Sequence, residues 1–186
     1  MTTSEARRYR IAVLVVIASE ALLFAGLFAL YTSYRAEYPH EFHVAAQRDL
    51  STIGGTNTMI LLASSFAMAW AIMRARQLAN PRRALAVVLV LGSAFLVLKL
   101  VEWGIHISDG IVPGAAGDLP ARGSALFFTL YYFMTGLHAA HVVAGLALVA
   151  WVTARPRIAT MELVGLYWHF VDLVWVFLWP LFYLLP

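Results

Sequence analysis

Five stretches of this chain are long and apolar enough to cross a lipid bilayer, and that limits the fold before any motif is read. Inside hydrocarbon no water satisfies the backbone, so only helices and closed barrels span. A helix needs about 20 apolar residues to do so. Residues 11–31, 56–73, 84–107, 125–151 and 164–184 meet that need. Each run carries scattered Gly, Ser or Thr, the residue types that let helices approach closely in lipid. None shows the period-2 alternation of an outer-membrane barrel. No internal repeat supports an inverted-repeat transporter plan. The expected fold is all-α: residues 1–186 form a single polytopic membrane domain, a bundle of five transmembrane helices.

Composition agrees. The chain is 62% hydrophobic and 12% charged, about half the ~25% charge of soluble domains. A soluble enzyme and a disordered tail are thereby excluded. The absence of cysteine removes thiolate metal sites, iron–sulfur clusters, disulfide scaffolds and cysteine nucleophiles together. Net charge is only +3 and the arginines cluster beside apolar runs, so no nucleic-acid partner is expected.

Those arginines set the topology. Arg7, Arg8, Arg10, Arg74, Arg76, Arg82, Arg83, Arg155 and Arg157 fall on one side of the alternating spans. Arg35, Arg48 and Arg122 fall on the other, and Lys99 lies within a span. The positive-inside rule then places the N-terminus in the cytoplasm and the C-terminus in the periplasm. A basic start followed by an apolar run also suits a signal peptide. The first run is too long, contains Glu20 and lacks a convincing cleavage site, so it is read as a membrane helix. The 32–55 link, with His40 and His43, is expected at the outer interface, the two histidines being solvated. The 108–123 link, rich in Gly and Pro, is expected to form a compact outer loop.

An ionisable residue near the bilayer centre costs at least ~2.5–3.5 kcal/mol on insertion scales. Such residues need a partner, a water-filled cavity or a neutral form. Glu20 is read as a lone carboxyl near mid-span, either a neutral hydrogen-bonded group or a proton relay. Lys99, Glu102 and His106 share one helix face by spacing, which favours local ion pairing. His138 and His141, three apart, favour polar packing between helices over metal ligation, since no further ligand is in sight. Glu162, His169 and Asp172 read as one polar stripe on the last helix. Trp168, Trp175 and Trp179 form a second stripe for packing or interface anchoring. Pro180 is expected to bend the outer end of that helix. No Gly-x-Ser-x-Gly elbow, phosphate loop or His-Glu-x-x-His is present.

The last span carries a more specific signal. Tyr167-Trp168-His169-Phe170-Val171-Asp172-Leu173-Val174-Trp175 closely resembles the YWHFVDxVW signature of subunit III of the haem–copper respiratory oxidases. Glu162 stands seven residues before the His, as in that family. Thr135-Gly136, His138, His141-Val142 and Gly145 resemble its TGxHxxHVxxG segment. Ser19-Glu20 with Phe24 and Gly26 resembles its SExxxFxG stretch, and Asn57-Thr58 with Leu61, Leu62 and Ser64 its NTxxLLxS stretch. Glu102-Trp103 resembles its E[YW] pair, and Ser108-Asp109-Gly110 the S-D-G that follows. The five blocks stand in order, one per span.

This resemblance, to the short five-helix bacterial form, implies a non-catalytic core subunit of a terminal oxidase complex that reduces O2 to water and translocates protons. It implies no catalytic, cofactor or metal residue in this chain, with haems and copper in subunits I and II. The expected partners are subunit I as main contact, subunit II, other subunits of the complex and structural phospholipids, in the bacterial inner membrane. The subunit supports proton uptake and turnover stability. Glu20, Asn57, Glu102, His138, His141, Glu162, His169 and Asp172 then take structural-polar, lipid or partner contacts. The long form of the family has seven helices, and its lipid-filled cleft lies between the first two and the rest; those two have no counterpart here. Two other readings stand beside this one: an accessory subunit of a nitric oxide reductase complex, and an independent transporter using Glu20 and Asp172.

Overall fold

A computed structural model describes residues 3–48, 51–119 and 121–184. The elements, in chain order, are α1 (Thr3–Glu37), α2 (Pro39–Ala46), α3 (Ser51–Arg76), α4 (Arg82–Ser108), β1 (Ile111–Val112), β2 (Ala115–Ala116), α5 (Ala121–Ala154) and α6 (Ile158–Trp179). A π-helical turn, Pro180–Leu184, extends α6. Five helices are long and apolar enough to cross a membrane, and the chain is a multi-pass membrane protein.

The helices outrun the apolar runs that predict them. Hydropathy ends where polar residues begin, but the backbone gains by staying helical through the interface. At about 1.5 Å per residue, the 35 residues of α1 exceed the ~30 Å hydrocarbon core. The 32–55 link is therefore mostly helix. α1 runs to Glu37, and Pro39 opens α2, where its missing N–H costs nothing. The 108–123 link is compact as expected, and it contains a small hairpin pairing Ile111 with Ala116 and Val112 with Ala115. Pro113 and Gly114 make its turn, with Gly114 at φ +87°, the second-position angle that a type II turn reserves for glycine.

α3, α4, α5 and α6 form a closed ring, each packed on two neighbours, while α1 lies outside against α5 and α6. Only 11% of the most apolar window of α1 is covered by protein, against 50% for α6. The uncovered side of α1, with Val15 and Leu22, suits lipid or a partner subunit.

Trp168 is the axle of the ring. It projects from α6 and its Nε1–H donates to Ser64 Oγ of α3 at 3.2 Å. Its ring lies against two glycines. A Cβ on Gly92 of α4 would meet Trp168 Cη2 at 2.9 Å, and one on Gly145 of α5 would meet Trp168 Cε3 at 2.8 Å. One indole thus touches all three other helices of the ring. Trp175, two turns on, is also buried, and its Nε1–H donates to Thr58 Oγ1 at 3.1 Å. These two tryptophans therefore pack the core; neither anchors at an interface.

Candidate functional site

The polar residues inside the spans resolve into separate groups at different depths. The outer group is a buried ion pair. Lys99 Nζ lies 3.2 Å from Glu102 Oε2, with side-chain exposures of 1% and 0%. Spacing on α4 foretells the pair, but not its other half. Lys99 Nζ also donates to Tyr131 Oη of α5 at 2.8 Å and to Tyr183 Oη of the π turn at 2.7 Å. Both phenols donate to Glu102 Oε1. The ammonium lies 4.4 Å from the Tyr131 ring centre and 5.3 Å from that of Trp175. The expected local pairing on one helix is thus a four-residue knot tying α4, α5 and the end of α6. Such charges tolerate burial only when every lone pair and proton finds a partner. His106, one turn outward from Glu102, packs against Phe128 and Tyr131.

The second group joins the peripheral helix to the ring. Glu20 Oε2 of α1 lies 3.1 Å from His141 Nε2 of α5. It is half-buried and paired, which corrects the reading of a lone carboxyl. His141 Nδ1 lies 2.8 Å from the Leu137 carbonyl. A carbonyl only accepts, so Nδ1 carries a proton. The Nε2 contact then needs one proton too, from a neutral Glu20 or on an imidazolium. Tyr167 Oη donates to the His141 carbonyl at 3.2 Å.

The third group opens at the end that the arginine bias places in the cytoplasm. Glu162 does not continue the α6 stripe inward. It turns to the edge, where Arg76 grips it at 2.7 Å. His169 Nδ1 meets Ser65 Oγ of α3 at 2.6 Å. Asp172 is buried, and its two oxygens make no well-formed hydrogen bond among the described residues. The Ser65 hydroxyl is the polar group that acts on it. The expected single stripe is therefore an edge ion pair, a half-buried imidazole and a buried carboxyl. A cavity of about 370 Å³ lined by Arg10, Arg76, Glu162 and His169 runs beside them.

The remaining sequence candidates sit apart. His138 is separated from His141 by its environment: its ring lies 5.6 Å from Phe95 and 5.2 Å from Trp175, in the ring interior. Its two nitrogens, and both polar atoms of Asn57, have no hydrogen-bond partner among the described residues. At the surface His43 Nε2 accepts from Gln47 Nε2 at 3.0 Å. No group of three or more His, Cys, Asp or Glu could hold a metal among the described residues. Outside the spans, the Glu37 hydrogen bond raises the pKa of exposed Tyr38 above the usual phenol value.

Sequence reasoning missed Tyr131, Tyr183 and Ser65 as members of polar groups. Tyr131 had a faint signal, since it stands seven residues before His138 and so shares its face. Tyr183 and Ser65 had none, because their partners lie on other helices.

Comparison with known proteins gives one consistent result. The family model described as cytochrome c oxidase subunit III matches residues 2–185. Cytochrome c oxidase subunit 3 of Synechocystis is 30% identical over 93% of this chain and 74% of its own length. That of Corynebacterium diphtheriae is 31% identical over 88% and 81%. That of Thermostichus vulcanus is 29% identical over 92% and 85%.

Proposed function

Since the chain belongs to the cytochrome c oxidase subunit III family, and so to a multi-subunit oxidase complex, we propose that it is the non-catalytic subunit III of a bacterial terminal oxidase. That complex reduces O2 to water and moves protons across the inner membrane. Haems and copper sit in subunits I and II. This chain packs chiefly on subunit I and holds phospholipid. It also supports proton uptake and keeps the complex active through turnover. The N-terminus faces the cytoplasm and the C-terminus the periplasm.

The observation that carries this reading is how the in-span charges are spent. Lys99 and Glu20 each have a partner within the chain, and both charged groups of the outer knot are sealed from solvent. Groups committed to one another hold helices together, which suits a subunit whose work is packing. Lipid contact is supported by an apolar groove of about 430 Å³ between α1, α5 and α6, lined among others by Val16, Leu148, Trp151 and Tyr167. An acyl chain fits its shape and chemistry.

Removal of the chain from the purified complex tests the role. Oxygen reduction should start near its normal rate and then decay faster than in the complete complex. An immediate, complete loss of activity would instead make the chain part of the catalytic machinery. Proton flux in vesicles containing this chain alone would favour the transporter reading. Co-isolation with a nitric oxide-reducing subunit would favour the accessory reading.

A further inference from the structure

We propose that the cavity beside α3 and α6 is the mouth of a short proton-exchange branch, in which His169 and Ser65 connect solvent to the buried carboxyl of Asp172. The inference does not depend on which complex the subunit serves.

The geometry supplies the links in order. His169 lines the cavity and is half-buried. Its Nδ1 is 2.6 Å from Ser65 Oγ. The Ser65 hydroxyl is in turn the polar group acting on Asp172. Asp172 is 4% exposed and sits on α6 one turn beyond His169. Neither of its oxygens finds a well-formed hydrogen bond among the described residues. An ionised carboxylate so placed, without a cation against it, is costly by several kcal/mol. Its resting form therefore carries the proton.

The charged neighbours are committed elsewhere. On α3, Arg76 is held by Glu162 of α6, and Arg74 Nε donates to the Asn80 carbonyl. On α1, Glu20 is held by His141 of α5, and Arg10 stands at the cavity mouth. His138 of α5 lies against Phe95 and Trp175. No fixed cation locks Asp172 in its ionised form. The two arginines at the mouth, against one carboxylate, also leave the cavity net positive. That field favours releasing the Asp172 proton over trapping it permanently, so the group exchanges.

Each transfer balances. A cavity water (as hydronium) gives a proton to His169 Nε2. The imidazolium passes its Nδ1 proton to Ser65 Oγ as Oγ–H passes its own to an Asp172 carboxylate oxygen. The imidazole is left neutral, and Asp172 is protonated. The reverse order discharges it. No heavy atom needs to move; the hydroxyl hydrogen rotates and the imidazole tautomer resets.

Infrared spectroscopy of the assembled complex tests this. The Asp172→Asn variant should lose one protonated-carboxyl band. In the unaltered complex that band should shift on transfer to D2O. Ser65→Ala should slow the shift by roughly a hundredfold, the low end of what one positioned proton-transfer group contributes. Ser65→Thr, which restores the hydroxyl, should recover the rate. If Asp172→Asn does not assemble, the two Ser65 variants decide the matter alone. A Ser65→Ala rate equal to the unaltered one overturns the branch. So does a spectrum in which Asp172→Asn removes no such band, or a band that never shifts in D2O.

Discussion

Glu102 accepts from two phenols and one ammonium, and that crowding predicts an uneven mutational response. Lys99→Met leaves a buried carboxylate without its cation and should destabilise the subunit by about 3–5 kcal/mol. Tyr183→Phe removes one donor of three and should cost only about 1–2 kcal/mol. The double variant Lys99→Met/Glu102→Leu should recover most of the loss, because no unpaired charge remains. Thermal unfolding of the complex in detergent measures all three, and an additive double variant would contradict the knot. At the other pair, Glu20→Gln should leave assembly nearly intact, since an amide N–H donates to His141 Nε2 as a neutral carboxyl does. Loss of the subunit in that variant would mean the pair needs its charge. Lys99 and Glu102 were legible as partners because helix spacing alone brings them together. Glu20 with His141 was not, because the contact crosses from one helix to another and leaves no periodic trace.

At the scale of the element, two backbone features carry predictions. α3 ends at Leu78, which sits at φ +58° and is 92% exposed. Its neighbour Ala79 N–H closes on the Arg74 carbonyl at 2.9 Å. An L-residue with a Cβ is strained there by roughly 1–2 kcal/mol, and asparagine tolerates the angle better. Leu78→Asn should therefore stabilise the chain by about 0.5–1 kcal/mol, read as a higher unfolding temperature. The slot around Trp168 predicts the opposite sign. Gly145→Val would press on the indole from 2.8 Å, and overpacking of this kind costs about 1–3 kcal/mol. Trp168 fluorescence is mixed with that of other tryptophans, so retention in the complex is the cleaner readout. The number and order of the spans were legible because hydrocarbon demands long apolar helices. Their ends, α2 and the hairpin were not, because past the hydrocarbon the backbone choice rests on caps and turns rather than on hydropathy.

The whole molecule is a four-helix ring with one helix leaning on its outside. The ring closes around Trp168 and around the Lys99 knot, both built from blocks that resemble the family's motifs. α1 meets the ring on few residues and is joined to it by the Glu20–His141 pair. Its large uncovered side makes it the natural face for lipid or a neighbouring subunit. Family membership was legible from short motifs, and the model explains why those residues recur together in one chain: most touch each other or flank a contact. The partner surface itself was not legible, because an apolar face against lipid and one against protein use the same residues. The central claim is that this chain is a non-catalytic oxidase subunit. Its most direct test is isolation through an affinity tag on this chain, with mass spectrometry of the co-purifying proteins and metal analysis of the chain alone. The account predicts stoichiometric subunits I and II, haem and copper with them, and no metal on the separated chain. A chain that purifies alone, or that carries its own haem or copper, would contradict it.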